Sequence, residues 1–272
     1  MLKHQILCVL VGGDGDLMTL LSDTRHIFVR YLKKLIRNPI LITFSLIQPI
    51  LFLVLFTQLF ERFVSVPGFP AESYLLFAAP GILLQNAFGS ALQSGNSIVA
   101  DLDTGFLQKM LVTPVSRYAL LLGRLLSDAF RVVVQSIIIL VLAFVMGASP
   151  VTGIVGVLLM LFTIAFFGLA WSGISLAIGL KTKNSETVFA IGSFLTFPLI
   201  FMSTSLTPLE FMPDWIKTVS MLNQISYTVD AIRVLMIDGF VWDTIFAAYA
   251  VIALIAVVTL GATLYMFRKV VN

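Results

Sequence analysis

The chain has 272 residues, of which 59% are hydrophobic and only 11% charged, with a formal net charge of +3, a mean hydropathy of +1.03 and a pI near 9.1. Soluble domains carry about 25% charged residues, so a soluble globular protein is excluded. So small a basic excess gives no reason to expect a nucleic-acid partner, since basic residues in such a chain first report membrane topology.

Runs of roughly 20 apolar residues are what a helix needs to cross ~30 Å of hydrocarbon, and several occur. Strands of a membrane barrel would instead alternate polar and apolar over ~10 residues. The expected fold is therefore all-α and polytopic, in one transmembrane domain from 25 to 272. Residues 1–24 read as a cytoplasmic leader of unknown role. Their apolar run at 6–11 is shorter than a signal h-region, and acids follow at Asp14 and Asp16. A single cysteine, Cys8, rules out an intramolecular disulfide and a multi-cysteine metal site.

Residues 24–38 place Ile27, Phe28, Tyr31, Leu32 and Leu35 on one helical side, with Arg30, Lys33, Lys34 and Arg37 toward the other. That is the pattern of a basic amphipathic helix in the headgroup plane, with membrane lipid as its partner, or of a basic flank to the next span. Asn38-Pro39 ends it. Six spans are expected, at roughly 40–60, 74–98, 125–147, 154–178, 187–205 and 244–267. The first contains Gln48-Pro49, an expected kink. The second carries Gln85, Gly89, Gln93 and Asn96 at spacings of three and four, hence on one face. With Gln135 in the third span, Gln85, Gln93 and Asn96 form the candidate translocation face, the alternative being helix packing. In the fourth span Gly168, Ser172, Gly173, Ala177 and Gly179 are small residues that let helix backbones approach closely in lipid.

Between spans two and three, residues 101–131 hold charges at Asp101, Asp103, Lys109, Arg117, Arg124, Asp128 and Arg131. Gly105, Phe106, Leu107, Lys109, Met110 and Leu111 fall on a short amphipathic helix. Asp101, Asp103 and Thr104 ahead of it are capping residue types, and Thr113-Pro114 stops it. Its apolar side, Phe106 and Met110 with Leu107 and Leu111, suits a groove on a partner or a lipid surface. Arg124, Asp128 and Arg131, spaced i, i+4 and i+7, read as a neutralised, snorkelling cluster at the inner end of the third span. Residues 206–243 are too polar to cross and too apolar for a free loop. Two short re-entrant-like helices fit them, one starting at Pro213-Asp214-Trp215 and one at 225–236, with Asp230 and Arg233 an i,i+3 pair.

Fourteen of the 17 basic residues fall on the side of the N-terminus and only Arg62, Lys217 and Arg233 on the other. The positive-inside bias then puts both termini in the cytoplasm. Catalytic, cofactor and metal residues are not expected: both histidines, His4 and His26, precede the first span, and no G-x-x-x-x-G-K-[ST] loop occurs. Energy for uphill transport would come from another chain.

The segments G-F-L-Q-K-M-L-V-T-P-V-S-R (105–117), L-L-L-G-R-L-L-S-D (120–128), L-T-P-L-E-F-M-P-D-W (206–215) and N-Q-I-S-Y-T-V-D-A-I-R (223–233) occur in that order on the expected sides. From about Arg25 onward the chain resembles the type-2 ABC transporter permeases, of the daunorubicin-resistance drug exporter kind. The resemblance implies six spans, an interfacial N-terminal helix, and a homodimer or a pairing with a related permease in the plasma membrane. It also implies a separate ABC ATPase docked on residues 105–111 as a coupling helix, driving export of a hydrophobic or amphipathic, drug-like molecule. A polysaccharide or lipid-linked glycan exporter is the alternative within that class; a scaffold or channel subunit not driven by ATP is the alternative outside it.

Overall fold

In a computed structural model the chain is described over residues 17–112 and 115–271, with side chains at all of these except Leu17, Leu41, Leu111, Arg117 and 268–271. Ten α-helices and two 3-10 turns occur among the described residues, and no strand. They are α1 (Leu17–Ile36), α2 (Pro39–Leu59), α3 (Tyr74–Asp103), α4 (Phe106–Leu111), α5 (Arg117–Val145), α6 (Gly153–Thr182), α7 (Ser185–Phe201), α8 (Asp214–Leu222), α9 (Gln224–Ile237) and α10 (Trp242–Val271). Residues 1–16 of the expected leader, with Cys8 and His4, lie outside the described residues, as does Thr113-Pro114.

Five helices, α2, α3, α5, α6 and α10, are long and apolar enough to cross a membrane. The remaining expected span, fifth in chain order, is α7, which has 17 residues, about 25 Å at 1.5 Å per residue. Several boundaries differ from expectation. The amphipathic helix α1 starts at Leu17, within the expected leader. Helix α3 continues past 98 to Asp103, and α5 begins at Arg117 rather than near 125. Helix α7 stops at Phe201, so Ser203-Thr204-Ser205 form a turn. Proline 49 lies inside an unbroken α2, whereas Asn38-Pro39 does separate α1 from α2, with Pro39 in the first helical turn where its missing N–H costs nothing.

Helices α3 and α6 make the most extensive contact, and α10 and α5 flank α6. The sequence permits this by placing small residues where backbones meet. A methyl at Gly95 would collide with the Ser175 side chain and carbonyl, and one at Gly179 would come within 2.8 Å of the Gly95 carbonyl. The Gly95 N–H donates to Ser175 Oγ at 3.1 Å. Gly173 faces Thr259 of α10, whose hydroxyl donates to the Ala170 carbonyl at 2.8 Å. The small residues of the fourth span are thus packing residues. Phe88 fills the α3–α6 interface, with ring centroids 5.0 Å from Phe167 and 4.5 Å from Trp171.

Burial is uneven. The apolar window of α3 is 78% buried against 17% for α2, so α3 is a central post and α2 stands at the periphery. One large core cluster fills the middle and the end that holds α9. A second, at the basic end, joins Ile27, Leu107, Leu125, Leu180, Val188 and Phe267. Large apolar side chains such as Phe44, Leu51, Phe194, Phe197 and Val257 are exposed, as suits helices whose solvent is hydrocarbon.

The expected side chains of α1 divide as the spacing predicts. Ile27 is buried, Phe28, Tyr31, Leu32 and Leu35 are half-buried, and Arg30, Lys33, Lys34 and Arg37 are exposed. The apolar side is not free, however. It packs on α5, where a methyl at Gly123 would come within 2.8 Å of Ile27, and Phe28 meets Phe130 edge-on at 6.0 Å. At the opposite end α8 and α9 form the two expected short helices, broken at Asn223. The Asn223 side chain donates to the carbonyls of Leu199 (2.7 Å) and Met202 (3.1 Å) and accepts from the Ile225 N–H (3.0 Å). One side chain therefore caps α9 and pins it to the end of α7.

Candidate functional site

A cleft of about 620 Å³ opens between α1, α2, α3 and α5, and Gln85, Gln93, Asn96 and Gln135 all line it. The spacing of Gln85, Gly89, Gln93 and Asn96 explains this, because one helical face of α3 is left without a packed neighbour. Gly89 and Gln93 are exposed, Gln85 and Asn96 half so. Gln135 differs from the other three. It is 1% exposed, donates from Nε2 to Ser45 Oγ at 2.6 Å and accepts from Ser90 Oγ at 2.6 Å. It ties α2, α3 and α5 together at the cleft wall rather than presenting a free amide.

The cleft also takes in Lys34, Asn38, Gln48, Asp128 and Arg131, which the sequence marks for other roles, and Ser45 and Asn86, which it does not mark. The signal for Ser45 and Gln48 was their i,i+3 spacing in an otherwise apolar span. The Asn86 amide nitrogen is buried without a partner, as is the Asn96 side-chain oxygen. Such unfilled capacity in a low-dielectric setting is costly to leave. Arg131 donates to the Ser90 carbonyl and lies 3.8 Å from Asp128, which accepts from the Ser94 hydroxyl.

Beside the cleft lies the charged joint, and here the expected roles change. Asp101 does not cap the short helix. It ends α3 as a buried anion, 3% exposed, and its Oδ2 accepts from Arg124 Nη1 at 3.0 Å and Tyr31 Oη at 2.8 Å. Lys34 Nζ is 3.5 Å from its Oδ1. Arg124, 2% exposed, also donates from Nη2 to the Ser94 carbonyl at 2.7 Å. The sequence reading of Arg124, Asp128 and Arg131 as one snorkelling group is therefore corrected. Asp128 and Arg131 form one pair, whereas Arg124 turns away to clamp α1, α3 and α5. Burial pushes the Tyr31 phenol up to about 12, with the Arg124 cation pulling against it, so the phenol remains a donor to Asp101.

Helix α4 starts from Gly105 at φ +65, a left-handed conformation that an L side chain adopts only at a cost of roughly 1–2 kcal/mol. Asp103 and Thr104 belong to the end of α3 and make no side-chain cap on α4. Leu107 is 5% exposed within the basic-end cluster, and Met110 packs against the same cluster. Phe106 lies beneath the Arg30 guanidinium, 3.2 Å from ring centroid to cation. The apolar side of α4 thus faces its own protein. Gln108, Lys109 and Val112 are exposed, and they share the opposite face with Gly105.

At the far end Arg233 Nη1 pairs with Asp230 at 2.8 Å, as the i,i+3 spacing predicts. The same guanidinium donates to the Phe77 carbonyl at 3.3 Å and to the Thr204 carbonyl, joining α9 to α3 and to the turn after α7. Burial draws it down to about 10, with Asp230 holding it charged.

Among the described residues no group of three or more metal-ligating side chains comes together. An all-helical bundle with several membrane-crossing helices, a polar cleft beside a shared interior and a buried ionic clamp at one end define a polytopic membrane permease. The chain belongs to the ABC-2 type transporter family, whose signature covers residues 22–237. It is 33% identical over 202 residues to the transport permease ycf38 of Cyanophora paradoxa, covering 73% of this chain and 69% of that one. It is 30% identical over 207 residues to the daunorubicin resistance ABC transporter permease protein DrrB1 of Streptomyces coeruleorubidus, covering 75% and 72%.

Proposed function

We propose that this chain is the membrane subunit of an ATP-driven exporter that moves a hydrophobic or amphipathic, drug-like molecule out of the cytoplasm. The observation that carries the reading is the cleft: a polar face on α3, walled by apolar residues of α2, of a size that suits a small molecule. The resistance function named for the Streptomyces relative supports a drug-like cargo. Two copies, or this chain and a related permease, assemble in the cell membrane with both termini cytoplasmic. The basic-residue bias supports that orientation. A separate ABC ATPase docks on α4 and supplies the energy, and no cofactor, metal or catalytic group is assigned to this chain.

The test is co-reconstitution with the ATPase and measurement of ATP-dependent export. Replacing Gln85, Gln93 and Asn96 with leucine should reduce export at least tenfold or change which compounds are moved, with assembly intact. Wild-type export by the triple variant would return this face of α3 to a packing role.

A further inference from the structure

The cleft does not stand alone. A second, open groove of about 830 Å³ runs along α1, lined by Arg25, Arg30, Lys33, Lys34 and Arg37, and it shares Tyr31, Lys34 and Asn38 with the cleft. Six cations and one carboxylate line the two together, the sixth cation being Arg131 and the carboxylate Asp128. That carboxylate is already engaged by Arg131 and by the Ser94 hydroxyl. The nearby Asp101 is shared by Arg124, Lys34 and the Tyr31 phenol, so it cannot neutralise both cations. Lys34, with 56% of its side chain exposed, is left as surplus positive charge at the junction. On the other wall, Leu35, Ile42, Phe44 and Pro49 are apolar.

We propose that the cleft takes an amphiphile with an anionic head, a phosphate or carboxylate on an apolar tail, and discriminates against cationic amphiphiles. The head lies against Lys34 and the amides of Gln93 and Asn96, and the tail lies against Ile42, Phe44 and Pro49. A cationic head would find no uncommitted carboxylate and would be repelled by the basic groove at the entrance. The inference rests on the reading of the cleft as the route of transport and assigns its substrate class.

The test uses the full-length permease in phosphatidylcholine nanodiscs without ATPase. Equilibrium binding is compared for dodecyl phosphate and dodecyltrimethylammonium, which differ only in their heads, and inorganic phosphate is added as competitor. Dodecyl phosphate should bind at least about tenfold tighter than the ammonium compound, a floor set by one unbalanced charge as far as about 12 Å from the head at an effective dielectric near 20. Inorganic phosphate should not displace it at equal concentration, because it has no tail. Gln93→Glu, on the exposed cleft wall, should cut the anion preference about tenfold, and Lys34→Gln should weaken it. Lys181→Gln, a cation at the same end but outside both cavities, should leave it unchanged. Equal binding of the two heads, a cation preference, displacement by phosphate alone, or a Gln93→Glu variant with unaltered preference would each overturn the proposal. Loss of the preference together with leucine variants that still abolish export would overturn the substrate class alone. A clear preference with export untouched by those variants would overturn the transport route.

Discussion

Buried charge is the most consequential choice made by single residues in this chain. Asp101 and Arg124 come from different helices, and each is almost wholly withdrawn from solvent. Removing one partner from such a pair leaves an uncompensated charge and costs about 3–5 kcal/mol. Arg124→Leu should therefore destabilise the folded permease by about that amount in detergent unfolding. Adding Asp101→Asn should recover part of the loss, and strictly additive single effects would show that the pair is not coupled. Two glycines on α3, six residues apart, give the opposite kind of contrast. Gly95 meets the backbone of α6, whereas Gly89 faces open cleft with nothing within 4 Å. Gly95→Ala should destabilise by about 1–3 kcal/mol through overpacking. Gly89→Ala should stabilise by up to about 1 kcal/mol, because alanine is the better helix former. Thermal unfolding of the two variants side by side decides it, and equal shifts would contradict the packing described.

At the scale of the element, α4 shows what an amphipathic pattern can and cannot convey. Phe106, Leu107 and Met110 at helical spacing announced an apolar side, and that side exists. Nothing in the pattern told which body would cover it, because a partner groove, a lipid surface and the protein's own core all ask for the same residue types. The core has it. If a motor docks on α4 as proposed, the face left for it is the outward one of Gln108, Lys109 and Val112. Lys109→Asp with Val112→Asp should lower co-purification of the ATPase at least tenfold while changing the permease's unfolding free energy by no more than about 0.5 kcal/mol, as exposed substitutions usually do. Leu107→Ala should instead cost about 2–5 kcal/mol of stability, as a buried truncation does. If both variants behave alike, α4 has no separate outward role. The helix ends at the joint were misjudged for a related reason. Arg117 and Arg124 looked like the flank of a span starting near 125, because hydropathy cannot register that Arg124 is neutralised by a carboxylate 23 residues earlier.

Across the whole molecule, the membrane-crossing helices were legible because each is a long apolar run, a signal contained within a single segment. The cleft was half legible. The polar spacing on α3 marked one wall, but the opposite wall depends on how α2 sits, and α2 reads as an ordinary span apart from Ser45 and Gln48. The ionic clamp was not legible at all, since pairing across helices has no local signature. One feature of the packing bears on how such a body can move. Where Gly95 and Gly179 bring α3 and α6 into backbone contact, sliding or tilting one against the other would open voids on one side and clashes on the other, so that pair behaves as a stiff spine. Helix α2 has far fewer neighbours to lose, and its link to the spine at the cleft runs through Ser45 and Gln135. Widening of the cleft is therefore cheapest as a displacement of the Asn38-proximal half of α2, breaking the Ser45–Gln135 hydrogen bond, while its far half, with Leu53 buried and Phe60 5.2 Å from Tyr74, stays anchored to the spine.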